Sequence, residues 1–98
     1  MGNVLSKEKV DEALGGLSEW SSEGNAITRT AELANFPQAI QAVNRIAEIA
    51  ENSNHHPDID IRWRTLTFHC STHSEGGVTQ ADLSLAQEID GVLDTLAG

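Results

Sequence analysis

Four histidines, His55, His56, His69 and His73, are the residues of this 98-residue chain best suited to chemistry. His55-His56-Pro57 lies in a polar, turn-rich stretch, and His73 shortly precedes Gly76-Gly77. Imidazole titrates near neutrality, so clustered histidines suit proton transfer at physiological pH. Three other uses compete: ordinary surface residues, a metal site, or an interface. Zinc sites draw on spacings such as His-x3-His, and adjacent histidines chelate poorly. Pro57 biases His56 towards extended backbone, where neighbouring side chains point in opposite directions. The loop must therefore bend if His55 and His56 are to share one patch. His69 alternates with apolar neighbours like a solvent-facing strand residue and receives no role. Glu51 sits in the last turn of a helix, where the macrodipole disfavours a carboxylate. It is either a solvated surface residue or is kept there for another purpose.

The elements that must position these residues follow from periodicity. Ser6 caps a short helix within Lys7–Leu17, with Val10, Ala13, Leu14 and Leu17 at helical spacing and Gly15-Gly16 weakening its end. Trp20 to Leu33 reads as a hairpin turning at Ser22-Glu23-Gly24-Asn25. Ile27, Ala31 and Leu33 fall on one face with Arg29 between them, and Thr28, Thr30 and Glu32 on the other. Asn35 caps a helix with Pro37 in its first turn. Its expected buried stripe is Phe36, Ile40, Val43, Ala47 and Ala50, broadened by Ile46 and Ile49. A polar loop then spans Asn52–Pro57. Asp58–Thr72 is extended, with Leu66, Phe68 and Cys70 on one face and Thr65, Thr67 and His69 on the other. Fifteen residues exceed the usual strand, so a break is expected, although no Asn-Gly or Pro-Gly marks it. Thr79 opens a last helix, with Asp82 as its capping-box partner and a stripe of Leu83, Ala86, Ile89, Leu93 and Leu96. The order is that of an α+β domain with helices on one face of an antiparallel sheet.

Composition bounds what such a domain can do. The length fits a single domain spanning residues 1–98. A net charge of −9 disfavours direct contact with nucleic acid or anionic lipid. No apolar run approaches the roughly 18 residues of a membrane span. The single cysteine, Cys70, excludes an internal disulfide and a thiolate zinc cluster, and suits a reducing, cytoplasmic setting. No secretory signal is expected at the N-terminus. Met1-Gly2-Asn3-Val4-Leu5-Ser6 fits the loose myristoylation pattern, one that short sequences match by chance.

Glu51 is followed by three residues and then His55-His56-Pro57; Trp63 comes after five more, His73 after a further nine, and Asp82 after eight. In these spacings the chain resembles the pterin-4a-carbinolamine dehydratase family, which also includes transcriptional coactivators. The similarity extends through Asn25-Ala26-Ile27 and Asn35-Phe36 upstream, and from Thr72 to Thr79 downstream, over about three quarters of the chain.

The resemblance implies a four-stranded antiparallel sheet with three helices packed on one face, and a turn near Trp63-Arg64. It implies dehydration of a 4a-hydroxytetrahydropterin in tetrahydrobiopterin recycling, with no metal and no organic cofactor. By carry-over, His55 and His73 are the acid/base candidates and His56 positions the substrate. Glu51 orients the histidine loop or favours an imidazolium, and Pro57 holds the loop's shape. Asp82 caps its helix, contributes to the site, or does both. Trp63 either packs beside the flat pterin or fills the sheet, and Trp20 is open to the same two readings. A homodimer is expected, with a tetramer second. The alternative function is a non-catalytic binding protein of the same fold, a transcriptional coactivator or an assembly factor.

Overall fold

The computed structural model describes residues 3–97; Met1 and Gly2, on which the myristoylation pattern depends, lie outside them. The chain runs α1 (Lys7–Leu14), β1 (Ser21–Glu23), β2 (Ala26–Glu32), α2 (Phe36–Ser53), β3 (Asp58–Arg62), β4 (Thr65–Cys70) and α3 (Gln80–Ala97). The four strands form one antiparallel sheet in the order β1-β2-β4-β3. This is the α+β architecture expected, with three helices and four strands.

The sheet separates its residues by parity. Ile27, Leu66, Phe68 and Cys70 are fully buried on the inner face. The pairings Ile27↔Cys70, Arg29↔Phe68 and Ala31↔Leu66 put Arg29 on that face too. Arg29 is paired from α3: its Nη1 donates to Asp90 Oδ1 at 2.5 Å, and Trp20 Nε1 donates to the same oxygen at 2.8 Å, while Arg29 Nε is buried without a hydrogen bond among the described residues. Trp20 is thus a buried anchor of the core. The outer face carries Thr28, Thr30, Thr65, Thr67, His69, Asp58 and Asp60, by the same register.

α1 is short, as expected: it stops at Leu14, because Gly15 and Gly16 favour tight turns over further helix, and Leu17 is still buried. Two local expectations are corrected. α2 continues to Ser53, two residues into the expected loop. The stop is Asn54, at φ 52°, whose N–H bonds back to Ala50 and Glu51. The buried face of α2 is also rotated from the expected one. Ala39, Ala42, Ile46 and Ala50 are buried, whereas Phe36 is 47% exposed and Ala47 is exposed. Small alanines let α2 lie close against α3, so the larger side chains at Phe36, Ile40 and Val43 turn partly outward.

The expected break in the long extended run is a two-residue turn at Trp63-Arg64, between the paired residues Arg62 and Thr65. Trp63 takes φ 55°, a conformation normally left to Gly, Asn or Asp. The turn therefore has no sequence signal.

Cys70 lies among the inner-face residues, and burial, followed by the charges of Asp82 and Asp58, pushes its thiol up to about 12. The native protein is expected to resist iodoacetamide at pH 8 and to react once unfolded in urea. The folded state keeps a proton that the unfolded chain releases above about pH 9, so this residue's contribution falls as pH rises from about 9 towards 12. Urea titrations at pH 8 and pH 10 should show a smaller loss of stability in Cys70→Ala than in the wild type.

Candidate active site

The site is organised by a carboxylate in the core. Asp82, in the first turn of α3, is fully buried. His55 Nε2 donates to its Oδ1 at 2.6 Å. Its Oδ2 accepts from Thr72 Oγ1 at 2.7 Å and from the Thr79 backbone N–H at 2.8 Å. Thr79 Oγ1 lies 2.8 Å from Thr72 Oγ1 and accepts from the Ala81 N–H, which completes the cap of α3. Asp82 is therefore both a helix cap and the partner of His55.

This bond selects a tautomer. An ionised carboxylate only accepts, so His55 carries its proton on Nε2 and presents the Nδ1 lone pair. That nitrogen can take a proton, and once protonated it can return one. His55 is half-buried; its backbone N–H bonds to Ala50 O, so the end of α2 and the cap at Asn54 aim the loop. His56 is more exposed and pairs with Glu51, Nε2 to Oε2 at 2.5 Å. The carboxylate at the unfavourable helix end thus holds a histidine five residues on.

Thr72, whose hydroxyl is bonded to Asp82, is the residue before His73. His73 is exposed and opens into a cavity of about 430 Å³ shared with Asn25, Asp58, His69, Ser71 and Gly76. Pro57 sits between the histidine pair and β3. Trp63 stands apart: it is 70% exposed, with the Arg64 guanidinium 4.8 Å from its ring centre. It caps the opposite end of β3, about 20 Å from Pro57 at strand rise. Sequence reasoning did not single out Thr72, which continues the parity of Phe68 and Cys70, and it gave His69 no role. Among the described residues no group of three His, Cys, Asp or Glu is arranged to hold a metal ion, and no helix is long and apolar enough to cross a membrane.

The family model described as pterin 4 alpha carbinolamine dehydratase matches residues 3–92. The chain belongs to the pterin-4a-carbinolamine dehydratase family. As a member it is a dehydratase, an enzyme of the hydro-lyase class. A Nocardia farcinica relative, provisionally named pterin-4-alpha-carbinolamine dehydratase, is 53% identical over 89% of this chain and 92% of its own length. A Mycolicibacterium vanbaalenii relative with the same provisional name is 51% identical over 92% and 97%. The crystal structure of a transcriptional coactivator/pterin dehydratase from Brucella melitensis superposes with a TM-score of 0.90 at 30% identity, covering 93% of this chain and 99% of that one. A pterin dehydratase-like protein described as a RuBisCO assembly factor in the alpha-carboxysome superposes at a TM-score of 0.62. At 13% identity that likeness shows the fold alone.

Asp82→Asn tests the central carboxylate of this dehydratase. The amide can still accept from Thr72 and Thr79, but it turns an N–H2 group towards His55 and removes the reason for the Nε2–H tautomer. Turnover is expected to fall about 10²–10⁴-fold while the fold survives. Asp82→Ala leaves three donors without an acceptor and should cost about 2–4 kcal/mol in urea unfolding.

Proposed function

We propose that this dehydratase removes water from a 4a-hydroxytetrahydropterin to give the quinonoid dihydropterin, in tetrahydrobiopterin recycling, by histidine acid/base catalysis. The C4a–O bond breaks and the hydroxyl leaves as water after gaining a proton. The N5–H bond gives up its proton, and its electron pair forms the C4a=N5 double bond. One histidine must give a proton and another must take one. The observation that carries this reading is the Asp82 hub, which orients His55 directly and holds Thr72, the residue before His73. His55 and His73 are then the proton-transfer pair. His56, paired with Glu51, positions the substrate hydroxyl, and Pro57 limits the loop's freedom. Trp63 and its turn lie too far along β3 to meet a substrate held by the histidines of the same chain.

The protein acts on a small pterin, without direct contact to nucleic acid, a reading the charge of −9 supports. A cytoplasmic location is supported by a lone, buried thiol that needs no oxidising compartment. His55→Ala and His73→Ala should each lower turnover about 10²–10⁴-fold. Stopped-flow ultraviolet absorbance, following dehydration of a freshly generated carbinolamine, checks this; full activity in both variants would remove the assignment.

The working unit is a homodimer joined through β3. Of the two sheet edges, β1 has only three residues, whereas β3 offers five with Ile61 exposed and Trp63 beyond it. Antiparallel pairing of two copies about Ile61 sets Asp60 of each opposite Arg62 of the other. A tetramer, second in expectation, would use the partly exposed Phe36, Ile40 and Val43 on α2, against the repulsion of −9 per chain. Light scattering at micromolar concentration should give twice the 10.5 kDa chain mass, and Arg62→Glu should shift the equilibrium towards monomer at least tenfold.

A further inference from the structure

The two oxygens of Asp82 are used differently. Oδ1 takes the His55 imidazole, and Oδ2 takes the Thr72 hydroxyl and the Thr79 backbone N–H. A hydroxyl has one proton to give. The Thr72 proton goes to Asp82 Oδ2 at 2.7 Å, so in the 2.8 Å contact between the two hydroxyls Thr79 donates and Thr72 accepts. The Ala81 N–H in turn donates to Thr79 Oγ1 at 3.3 Å. Every proton in this chain therefore points one way, from the first turn of α3 through Thr79 and Thr72 to the carboxylate. That order suits a charged Asp82 and opposes a neutral one. A proton on Oδ2 would find no acceptor at Thr72 unless both hydroxyls reversed.

Thr72 is anchored on its own account. Its N–H donates to Gly77 O at 2.9 Å, and its carbonyl accepts from the N–H groups of Glu75 at 3.0 Å and Gly76 at 2.9 Å. Gly76 closes this turn at φ 80°. The N-terminal segment lies across it, with the Leu5 N–H bonded to Val78 O at 2.8 Å and Val4 so close that a Cβ on Gly77 would lie 2.8 Å from Val4 Cγ1. None of these bonds uses the Thr72 hydroxyl. The turn needs no hydroxyl at residue 72 to keep its shape, and the bonds that the hydroxyl makes go to Asp82 and Thr79.

A buried carboxylate stays charged only as far as its donors offset the lost hydration. Without the Thr72 donor the charge on Asp82 costs more, and the Asp82–His55 pair can lower that cost by taking one proton from solvent. Asp82 then becomes a neutral acid that donates to Nε2, and the imidazole carries its own proton on Nδ1. That nitrogen is no longer open to a proton from a substrate.

We propose that Thr72, backed by Thr79, is a positioning residue of this site: its hydroxyl keeps Asp82 in the charged form that holds the His55 proton on Nε2. Thr72 acts through Asp82 and His55 and not on the reacting atoms. The kinetic part of this inference rests on the dehydratase reading; its spectroscopic part needs no substrate.

The test is Thr72→Val, which keeps the β-branched shape and removes the donor. Nitrogen-15 spectra of the histidine rings at pH 8 should show His55 of the wild type protonated on Nε2 and bare on Nδ1. In Thr72→Val the proton should be found on Nδ1. For a freshly generated 4a-carbinolamine, kcat should fall about 10–100-fold with KM unchanged, the worth of one hydrogen bond to a charged group. Thr72→Ser, which returns the hydroxyl, should recover the wild-type spectrum and most of kcat. Far-ultraviolet circular dichroism checks that each variant is folded. If Thr72→Val does not fold, Thr72→Cys takes its place, and its weak S–H donor should give the same changes in smaller size. An unchanged His55 spectrum in Thr72→Val overturns the inference whether or not kcat falls. An unchanged kcat overturns it too, as does a Thr72→Ser that stays as impaired as Thr72→Val. A wild type that dehydrates no carbinolamine overturns the dehydratase reading itself; the spectra of wild type and Thr72→Val then still decide whether Thr72 sets the state of Asp82 and His55.

Discussion

A carboxylate removed from water must be given hydrogen-bond donors or it destabilises the fold by several kcal/mol. Asp82 meets that demand with three donors from three separate parts of the chain: the loop after α2, the segment after β4 and the residue that opens α3. Each donor is fixed by the bond it makes. The helix acquires its cap, Thr72 is held in place, and the imidazole of His55 is oriented with its proton on Nε2. One satisfied buried charge thereby couples stability to the geometry of a histidine in the candidate site. A substitution there is felt in both.

The rest of the architecture brings those three segments together. The sheet buries an apolar face and leaves a polar one, and α2 and α3 cover the apolar face through small residues that allow close approach. Asp90 on α3 answers the one arginine on the inner face and also accepts from Trp20, which ties α3 to the sheet and to the chain before β1. α2 ends in a left-handed cap at Asn54, which delivers His55 to Asp82. The histidines gather at one end of the sheet, while Trp63 and the exposed end of β3 lie at the other.

Much of this was legible in order of residues alone. Alternation separated the two faces of β2 and β4, helical spacing located α2 and α3, and Ser6, Asn35 and Thr79 marked helix starts where the side-chain caps are found. Those are local effects, since a cap or a strand parity depends on residues a few positions apart. The spacing from Glu51 to Asp82 also sufficed to indicate the family, because seven positions at set intervals are rarely matched by chance.

Tertiary structure decided the rest, and the reason is range. The rotation of α2 depends on how closely it can approach α3, which favours Ala39 and Ala42 over the larger residues that periodicity selects. The turn at Trp63 has no local signature, because the pairing of β3 with β4 imposes a positive φ on a residue that would not choose it. His55 and Asp82 are 27 residues apart in sequence, and their bond exists only once the loop after α2 meets the start of α3. His69 and Asp58 become neighbours through strand register, and the cavity they share with His73 belongs to no single segment. Sequence order determined the elements and the residue types available for chemistry; packing and register determined which of those residues meet.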